Sequence, residues 1–154
     1  MNYRIQELDS FAVVGQEVEL SNKQSKNLQL SMNFWPRFNA NLKRAQLSQS
    51  SNWVKYAFMQ RRDDKVFYYC AIPKRDHIPE GFISKEIQFS RYLVVEHVGS
   101  MKNIYSTYEQ VYKELLPAHN YLPKQTDFLH FERYDHRFHW NKPTSIIEIW
   151  IPIQ

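Results

Sequence analysis

Short segments of the first half of the chain recur in the second half, and this repeat constrains the fold more than any other feature. Phe11-Ala12-Val13-Val14 lies over Tyr92-Leu93-Val94-Val95 at nearly the same offset that places residues 66–73 over residues 145–152. Both of the latter segments end in Ile-Pro. Repetition of this kind predicts that one structural unit occurs twice in the chain.

The spacing of apolar residues predicts the same order of elements in each half. In the first half we expect an extra strand at 3–8, followed by a strand, a helix and two strands at 11–19, 27–44, 53–60 and 65–72. In the second half we expect a strand, a helix and two strands, at 91–98, 101–116, 127–134 and 145–153. The sequence therefore predicts an α+β fold built from a duplicated β-α-β-β unit with pseudo-twofold symmetry, its halves spanning roughly 1–76 and 82–154.

Pro36 lies inside the first predicted helix, where a proline removes a backbone hydrogen bond and clashes with the preceding turn. The helix either kinks or breaks at Phe34-Trp35, or begins there with Pro36 in its first turn. Because Leu28 and Met32 continue the apolar stripe upstream, we favour the kink or break.

Composition excludes several classes of protein. With 154 residues, 43% hydrophobic and 23% charged, the chain is long and apolar enough for one folded domain. The net charge of +4 comes from scattered basic residues with no run longer than two, so we expect no direct binding to nucleic acid. No apolar run is long enough to span a membrane. Cys70 is the only cysteine, which excludes an internal disulfide and suits a cytoplasmic protein.

The segment 145–153 alternates strictly, so its side chains divide between the two faces of a strand. Four isoleucines occupy one face and indicate core: Ile147, Ile149, Ile151 and Ile153. The other face carries Glu148 and Trp150. A carboxylate in such an apolar strand is costly to bury unless an arginine or lysine, a proton or a cationic ligand neutralises it.

A second carboxylate lies on the strand predicted at 127–134. Alternation places Phe128, His130, Glu132 and Tyr134 on one face, with Leu129, Phe131 and Arg133 on the other. Glu132 and Tyr134 either border the same groove as Glu148 or form cross-strand pairs on the sheet surface.

Several segments together resemble the gyrase-inhibitor-like (GyrI-like) small-molecule-binding family, which includes the effector-binding domains of multidrug transcription regulators in bacteria. The matching segments cover nearly the whole chain in the right order: Tyr3-Arg4-Ile5, Phe11-Ala12-Val13-Val14-Gly15, Phe34-Trp35-Pro36-Arg37-Phe38, Tyr92-Leu93-Val94-Val95 with Gly99, Ile104 to Pro117, Phe131-Glu132-Arg133-Tyr134-Asp135, and Glu148-Ile149-Trp150-Ile151-Pro152-Ile153. The two C-terminal segments are the most specific.

The resemblance implies one effector-binding domain over residues 1–154, with antiparallel sheets, two main helices on one side, a ligand groove between the halves and no DNA-binding domain. It also implies a pocket for amphipathic, often cationic, molecules, with a glutamate among aromatic side chains. The position that matches this glutamate is Glu148. Pro36 departs from the family pattern, in which an uninterrupted helix is more usual.

We therefore expect the ligand to contact residues of both halves. Under the repeat, Tyr69 is the counterpart of Glu148. Trp35 is expected to belong to the core, with a position in the pocket wall as the alternative. The candidate ligand-binding residues are Glu148, Trp150, Tyr69, Tyr134, Tyr56, Trp35 and Glu132.

No other constellation predicts a cofactor or a catalytic nucleophile. His130, His136 and His139 lie near Asp135, but two of the histidines fall in a predicted loop and no helix presents a pair at i and i+4. We therefore expect no metal ion and no other cofactor. The chain has no Gly-x-Ser-x-Gly segment, and Cys70 is expected to be a buried, inert thiol.

These observations lead to three hypotheses of function. The first is a binding module that captures amphipathic, cationic small molecules, for sequestration or for sensing through a regulatory protein partner. The second is a hydrolase of reactive electrophiles, in which Glu148 acts as a general base. The third is a protein-interaction module that inhibits a topoisomerase-like enzyme, as the family name suggests.

Overall fold

The computed structural model describes residues 1–47 and 49–154, which form one antiparallel sheet and two main helices. The strands are β1 (Tyr3–Leu8), β2 (Phe11–Glu19), β3 (Lys55–Arg62), β4 (Lys65–Pro73), β5 (Ile83–Ile87), β6 (Ser90–Val98), β7 (Phe128–Tyr134) and β8 (Ile146–Ile153). The helices are α1 (Gln24–Arg44) and α2 (Ile104–Gln110). The predicted α+β class is confirmed. The edge strand β5 was not predicted, because its polar, largely exposed residues lack a clear apolar alternation.

The strands lie in the order β1-β6-β8-β7-β3-β4-β2-β5. The pairing of β7 with β3 joins the two halves, with Lys55 opposite Tyr134 and Ala57 opposite Glu132. The outer strands are exchanged, because β1 pairs with β6 of the second half and β5 pairs with β2 of the first. Each half therefore supplies an edge strand to the other, and the pseudo-twofold relation between the halves stays a prediction.

The sheet carries a separate core on each face. The isoleucine face of β8 packs with α1 and with the second helical segment, residues 101–118, in one cluster. This cluster includes Phe38 and Ile104. The opposite face holds a second cluster, in which Trp150 contacts Tyr92 and Phe131 with ring centroids 5.4 Å apart in each case. The prediction that the four isoleucines lie in the core is confirmed, because each is at most 1% exposed.

Helix α1 is continuous from Gln24 to Arg44, so the predicted break at Phe34-Trp35 is wrong and the helix does not begin there. A kink at this point stays a prediction. Pro36 cannot donate a hydrogen bond to the carbonyl of Met32. The helix is held instead by burial of Phe34 and Phe38 against the sheet, since packing of an apolar face supplies most helical stability in proteins.

The second helical segment begins with a 3-10 turn at Met101–Asn103 and continues from α2 through a π-helical stretch at Val111–Leu115 to a last turn at Leu116–Ala118. The Ser100 side chain caps the 3-10 turn, because it accepts a hydrogen bond from the Lys102 backbone N–H at 3.2 Å. In the described part of the chain, no helix is long and apolar enough to cross a membrane.

A β-bulge changes the face of one predicted residue. Met59 pairs with His130, but the next residue, Gln60, pairs with Phe128, so Leu129 is an extra residue on β7. Phe128 therefore lies in the same cluster as Phe131 and not with His130 and Glu132. The prediction for Phe128 was wrong because strict alternation assumes an uninterrupted ladder.

We expect Gly15→Ala to destabilise the sheet by about 3 kcal/mol or more, at the upper end of overpacking costs. A Cβ on Gly15 would lie 1.9 Å from the Cys70 carbonyl oxygen and 2.7 Å from the Ala71 Cα. These are backbone atoms of the neighbouring strand β4, so no side chain can move aside. Urea unfolding measures the effect.

Gly81→Ala is the matched control for this substitution. Gly81 has a φ of +86° and nothing within 4 Å of a new Cβ, so we expect only the conformational cost of about 1 kcal/mol. A Gly15→Ala protein that is as stable as the Gly81→Ala protein would contradict the proposed clash with β4.

Candidate functional site

A cavity of about 400 Å³ lies between α1, the paired ends of β3 and β7, and the loop that follows β7. Its lining is mostly aromatic and apolar: Met32, Trp35, Pro36, Asn39, Trp53, Lys55, Tyr134, Phe138 and Trp140. Its volume is in the range of small-molecule sites.

A smaller recess of about 30 Å³ adjoins this cavity and reaches toward the second helical segment. Met32, Trp35, Tyr134 and Trp140 line both spaces. The recess is lined further by Leu28, Ser31, Met59, Tyr68, Met101, Ile104, Tyr105, Tyr108 and Glu132. Glu132 is the only carboxylate among the described residues that line either space.

Glu132 is 5% exposed, and its two carboxylate oxygens each accept a hydrogen bond from a tyrosine. Tyr108 Oη donates to Oε2 and Tyr134 Oη donates to Oε1, both at 2.6 Å. Within the described residues, none forms an ion pair with Glu132. Burial raises the pKa of Glu132 above its ordinary value, and the two hydroxyl donors oppose this effect only in part.

The tyrosines around Glu132 keep their protons at neutral pH. Burial, reinforced by the charge of Glu132, raises the pKa of Tyr68, Tyr108 and Tyr134 well above the ordinary phenol value. Trp35 Nε1 donates to Tyr68 Oη at 2.8 Å, and the Trp35 ring lies 5.2 Å from the Tyr134 ring. A buried carboxylate bordered by oriented aromatic rings is suited to hold a cation.

Glu148 lies on the opposite face of the sheet, where arginines neutralise it. Its Oε2 is 3.2 Å from Arg4 Nη2 and 3.3 Å from Arg137 Nη2. Trp150 Nε1 donates to Oε1 at 3.1 Å. Of the three ways of neutralising Glu148 that the sequence left open, the structure shows arginine pairing, and Glu148 does not line the cavity.

Arg137 also orders the turn after β7. Asp135 lies 2.9 Å from Arg137 Nη2 and 2.8 Å from Arg133 Nη1. Although burial acts to raise it, hydrogen bonds from Arg137 and Arg133 lower the pKa of Asp135 to about 2. Asp135 and Glu148 therefore form a charge network that fixes the loop between β7 and β8.

The seven predicted ligand-binding residues fall into two groups on opposite faces. Trp35, Tyr134 and Glu132 lie together at the cavity and its recess. The register explains the division, because β8 places Glu148 opposite Arg133 and Ile149 opposite Glu132. The structure therefore does not bring Glu132 and Tyr134 into one groove with Glu148.

The remaining four predicted residues belong to the packed face. Glu148 and Trp150 contact each other, Tyr56 packs against Phe131 at 5.8 Å, and Tyr69 donates to the Ile83 carbonyl at 2.5 Å. These contacts hold the four residues on the face of the sheet opposite the cavity. Any ligand contact by these four residues stays a prediction.

Sequence reasoning missed several residues of the site, above all Lys55 in the cavity and Tyr68 and Tyr108 in the recess. Tyr108 lies at helical spacing with apolar residues of the second predicted helix. Tyr68 lies on the same strand face as Cys70, which was expected to be buried. The available signal was that Tyr68, Tyr134 and Glu132 lie on the sheet face that the helices cover, and that Tyr108 lies on the helix that covers them. Trp53, which is not among the predicted ligand-binding residues, also lines the cavity.

The histidines do not form a metal centre with the acidic residues. Among the described residues, no group of three or more histidine, cysteine and acidic side chains could hold a metal ion. Burial lowers the pKa of His130 to about 4, so this histidine is neutral at physiological pH. Its Nδ1 is 3.3 Å from Tyr112 Oη, and its ring lies 4.4 Å from that of Tyr108.

We expect Glu148→Gln to destabilise the protein by about 1–3 kcal/mol, because it weakens charged hydrogen bonds at a buried position. Glu148 is 6% exposed, whereas the side chains of Arg4 and Arg137 are partly exposed, which limits the loss. Urea unfolding at neutral pH measures it. Stability equal to that of the wild type would show that the arginines contribute nothing through Glu148.

The chain is similar to known effector-binding proteins and to a transcriptional regulator. The model of the Cass2 family, integron-associated effector binding protein, matches residues 4–153. The transcriptional regulator BrlR of Pseudomonas aeruginosa is 28% identical over 157 residues, covering 99% of this chain and 56% of BrlR. The chain thus spans about half the length of that relative.

Solved structures share the fold. The structure of SAV2435 bound to tetraphenylphosphonium has a TM-score of 0.76 at 22% identity, covering 100% of this chain and 94% of that chain. An integron cassette protein from Vibrio cholerae has a TM-score of 0.66 at 18% identity, and the match covers 99% of this chain and 95% of that chain. The resemblance to effector-binding domains of the GyrI-like type is confirmed, and the chain belongs to the Cass2 family of integron-associated effector binding proteins.

Proposed function

We propose that this protein captures amphipathic, cationic small molecules in the cavity beneath α1, with Glu132 as the counter-charge. One observation carries the proposal: Glu132 is buried among tyrosines at the adjoining recess and has no ionic partner in the described part of the chain. The family is one of effector-binding proteins, and the chemistry of this site supports a cationic effector.

The free energy of binding would come from two sources. Apolar parts of the ligand would be removed from water against Met32, Trp35 and Trp140, at about 25 cal/mol per Å² of buried apolar surface. The positive charge would compensate the desolvated carboxylate, and each aromatic face would add about 0.5–2 kcal/mol of cation–π attraction. Neither source requires chemistry on the ligand.

The relatives support this class of ligand and this kind of output. SAV2435, which shares the fold, has been solved with tetraphenylphosphonium, a lipophilic cation. BrlR is a transcriptional regulator. We therefore propose that ligand capture serves sensing, through a regulatory protein partner, or sequestration.

The hydrolase hypothesis relied on Glu148 as a general base. Two arginines and the Trp150 indole N–H engage the Glu148 carboxylate. These contacts engage both carboxylate oxygens, one of which a general base would have to direct at an attacking water. The geometry therefore favours binding over hydrolysis.

We expect Glu132→Gln to weaken the binding of tetraphenylphosphonium by tenfold or more, which corresponds to about 1.4 kcal/mol. The substitution keeps the shape of the side chain and removes the charge that faces the cation. Isothermal titration calorimetry on the folded wild type and variant measures the change.

Glu148→Gln is the matched control for this experiment, because it removes a buried carboxylate on the opposite face of the sheet. We expect it to leave tetraphenylphosphonium binding within about twofold of the wild type, since distant sites act independently. If Glu148→Gln abolishes binding and Glu132→Gln does not, the site lies on the other face and the proposal is wrong.

We also expect Glu132→Gln to be more stable than the wild type at neutral pH. The folded-state pKa of Glu132 is raised above its ordinary value of 4.5, so the folded protein binds this proton more tightly than the unfolded chain does. The contribution of Glu132 to stability is therefore fully present below pH 4.5 and is lost as the pH rises through the window up to the folded-state pKa. Each pH unit of that window corresponds to about 1.4 kcal/mol.

Thermal unfolding of both proteins across this pH range measures the difference. The two unfolding midpoints should converge at acidic pH and separate as the pH rises, with the variant higher. A variant that is less stable at neutral pH would show that the charge of Glu132 is already well compensated within the fold.

A further inference from the structure

The cavity also contains a cationic side chain, at the end away from the recess. Lys55 begins β3 opposite Tyr134, and its side chain lines the cavity but not the recess. Lys55 Nζ donates to Asn39 Oδ1 at 2.7 Å and lies 5.5 Å from the centroid of the Trp53 ring. No carboxylate in the described residues forms an ion pair with Lys55.

The register of β3 and β7 fixes the position of Lys55 relative to Glu132. Lys55 pairs with Tyr134, and Ala57, two residues further along β3, pairs with Glu132. Diagonal neighbours of this kind have backbone positions about 7–8 Å apart on the same face of a sheet. The ammonium of Lys55 is nevertheless directed to Asn39 on α1, whereas Glu132 is bonded to Tyr108 and Tyr134.

Each of the two charges lacks an ionic partner in the described part of the chain and is partly or fully removed from water. Burial lowers the pKa of Lys55, as it raises that of Glu132. In both cases burial disfavours the charged form, so a partner of opposite charge would be favourable. Between them lie the aromatic side chains of Trp35 and Tyr134.

From this arrangement we infer that the cavity selects zwitterionic aromatic ligands, with the cationic group toward Glu132 and a carboxylate toward Lys55. The inference rests on the proposed function for the cationic end of the ligand, and the carboxylate end is additional. The aromatic body of such a ligand would lie between the two charges, against Trp35, Trp53 and Tyr134.

Lys55 also affects ligands that carry only a positive charge. A fixed ammonium on the cavity wall repels a cation, and the low effective dielectric of a partly buried site strengthens this repulsion. The same residue should therefore weaken the binding of plain cations and strengthen that of zwitterions. Specificity of this kind combines an attractive contact with a repulsive one.

The test compares two dyes that differ in one group: the rhodamine without N-alkyl substituents, which carries a free carboxylate, and its methyl ester. Both have the same cationic ring system, and only the first is a zwitterion. Fluorescence anisotropy titrations would use the wild type, Lys55→Met, Lys55→Arg and Glu132→Gln. Lys65→Met is the matched control, because Lys65 is exposed and pairs with Glu19 away from the cavity.

We expect the wild type to bind the acid dye about tenfold more tightly than the ester, the ratio for one charged hydrogen bond. Lys55→Met should remove this preference by weakening the acid dye and should leave the ester equal or tighter. Lys55→Arg should retain the preference, and Lys65→Met should behave as the wild type. Circular dichroism checks that each variant is folded.

Failure of this inference can be distinguished from failure of the proposed function. If Glu132→Gln weakens both dyes but the wild type does not prefer the acid, the cationic site stands and the role of Lys55 is overturned. If Lys55→Met weakens both dyes equally, or the wild type binds neither dye while binding tetraphenylphosphonium, the zwitterion class is also overturned. If neither dye depends on Glu132, the proposed function fails.

Discussion

Strand β8 is buried on both faces, and much of the remaining architecture follows from the need to cover them. Its isoleucines are covered by α1 and the second helical segment, and its other face is covered by aromatic side chains of the curled sheet. Two cores of this kind leave little polar surface near the middle of the sheet. A charged group placed there must therefore be paired with another group of the protein or with a bound ligand.

Glu148 and Glu132 show the two outcomes of this constraint. Glu148 has arginine partners that come from β1 and from the loop after β7, and its contacts serve the structure. Glu132 has only neutral hydroxyl donors in the described part of the chain. Two glutamates of similar burial thus have different partners because of the neighbours that topology gives them, so burial alone does not identify a ligand site.

Much of the fold was predictable, because alternation and helical spacing are local properties of the sequence. The faces of β8 and the assignment of Glu132 and Tyr134 to one side of β7 followed from alternation alone. The pairing of Glu148 with Arg4 could not be predicted, because Arg4 is far away in sequence and reaches Glu148 only through the exchange of β1 into the second half. The bulge at Leu129 depends likewise on pairing with β3.

The exchange of edge strands also governs the order in which the chain can fold. β1 is made before the other seven strands of this sheet but pairs with β6, where Tyr3 lies opposite Val95. During synthesis β1 must therefore wait, without its partner, until most of the chain has been made. Long-range pairing of this kind slows folding and exposes strand edges to aggregation in the interim. The contacts that hold the two halves together are thus among the last that a newly made chain can form.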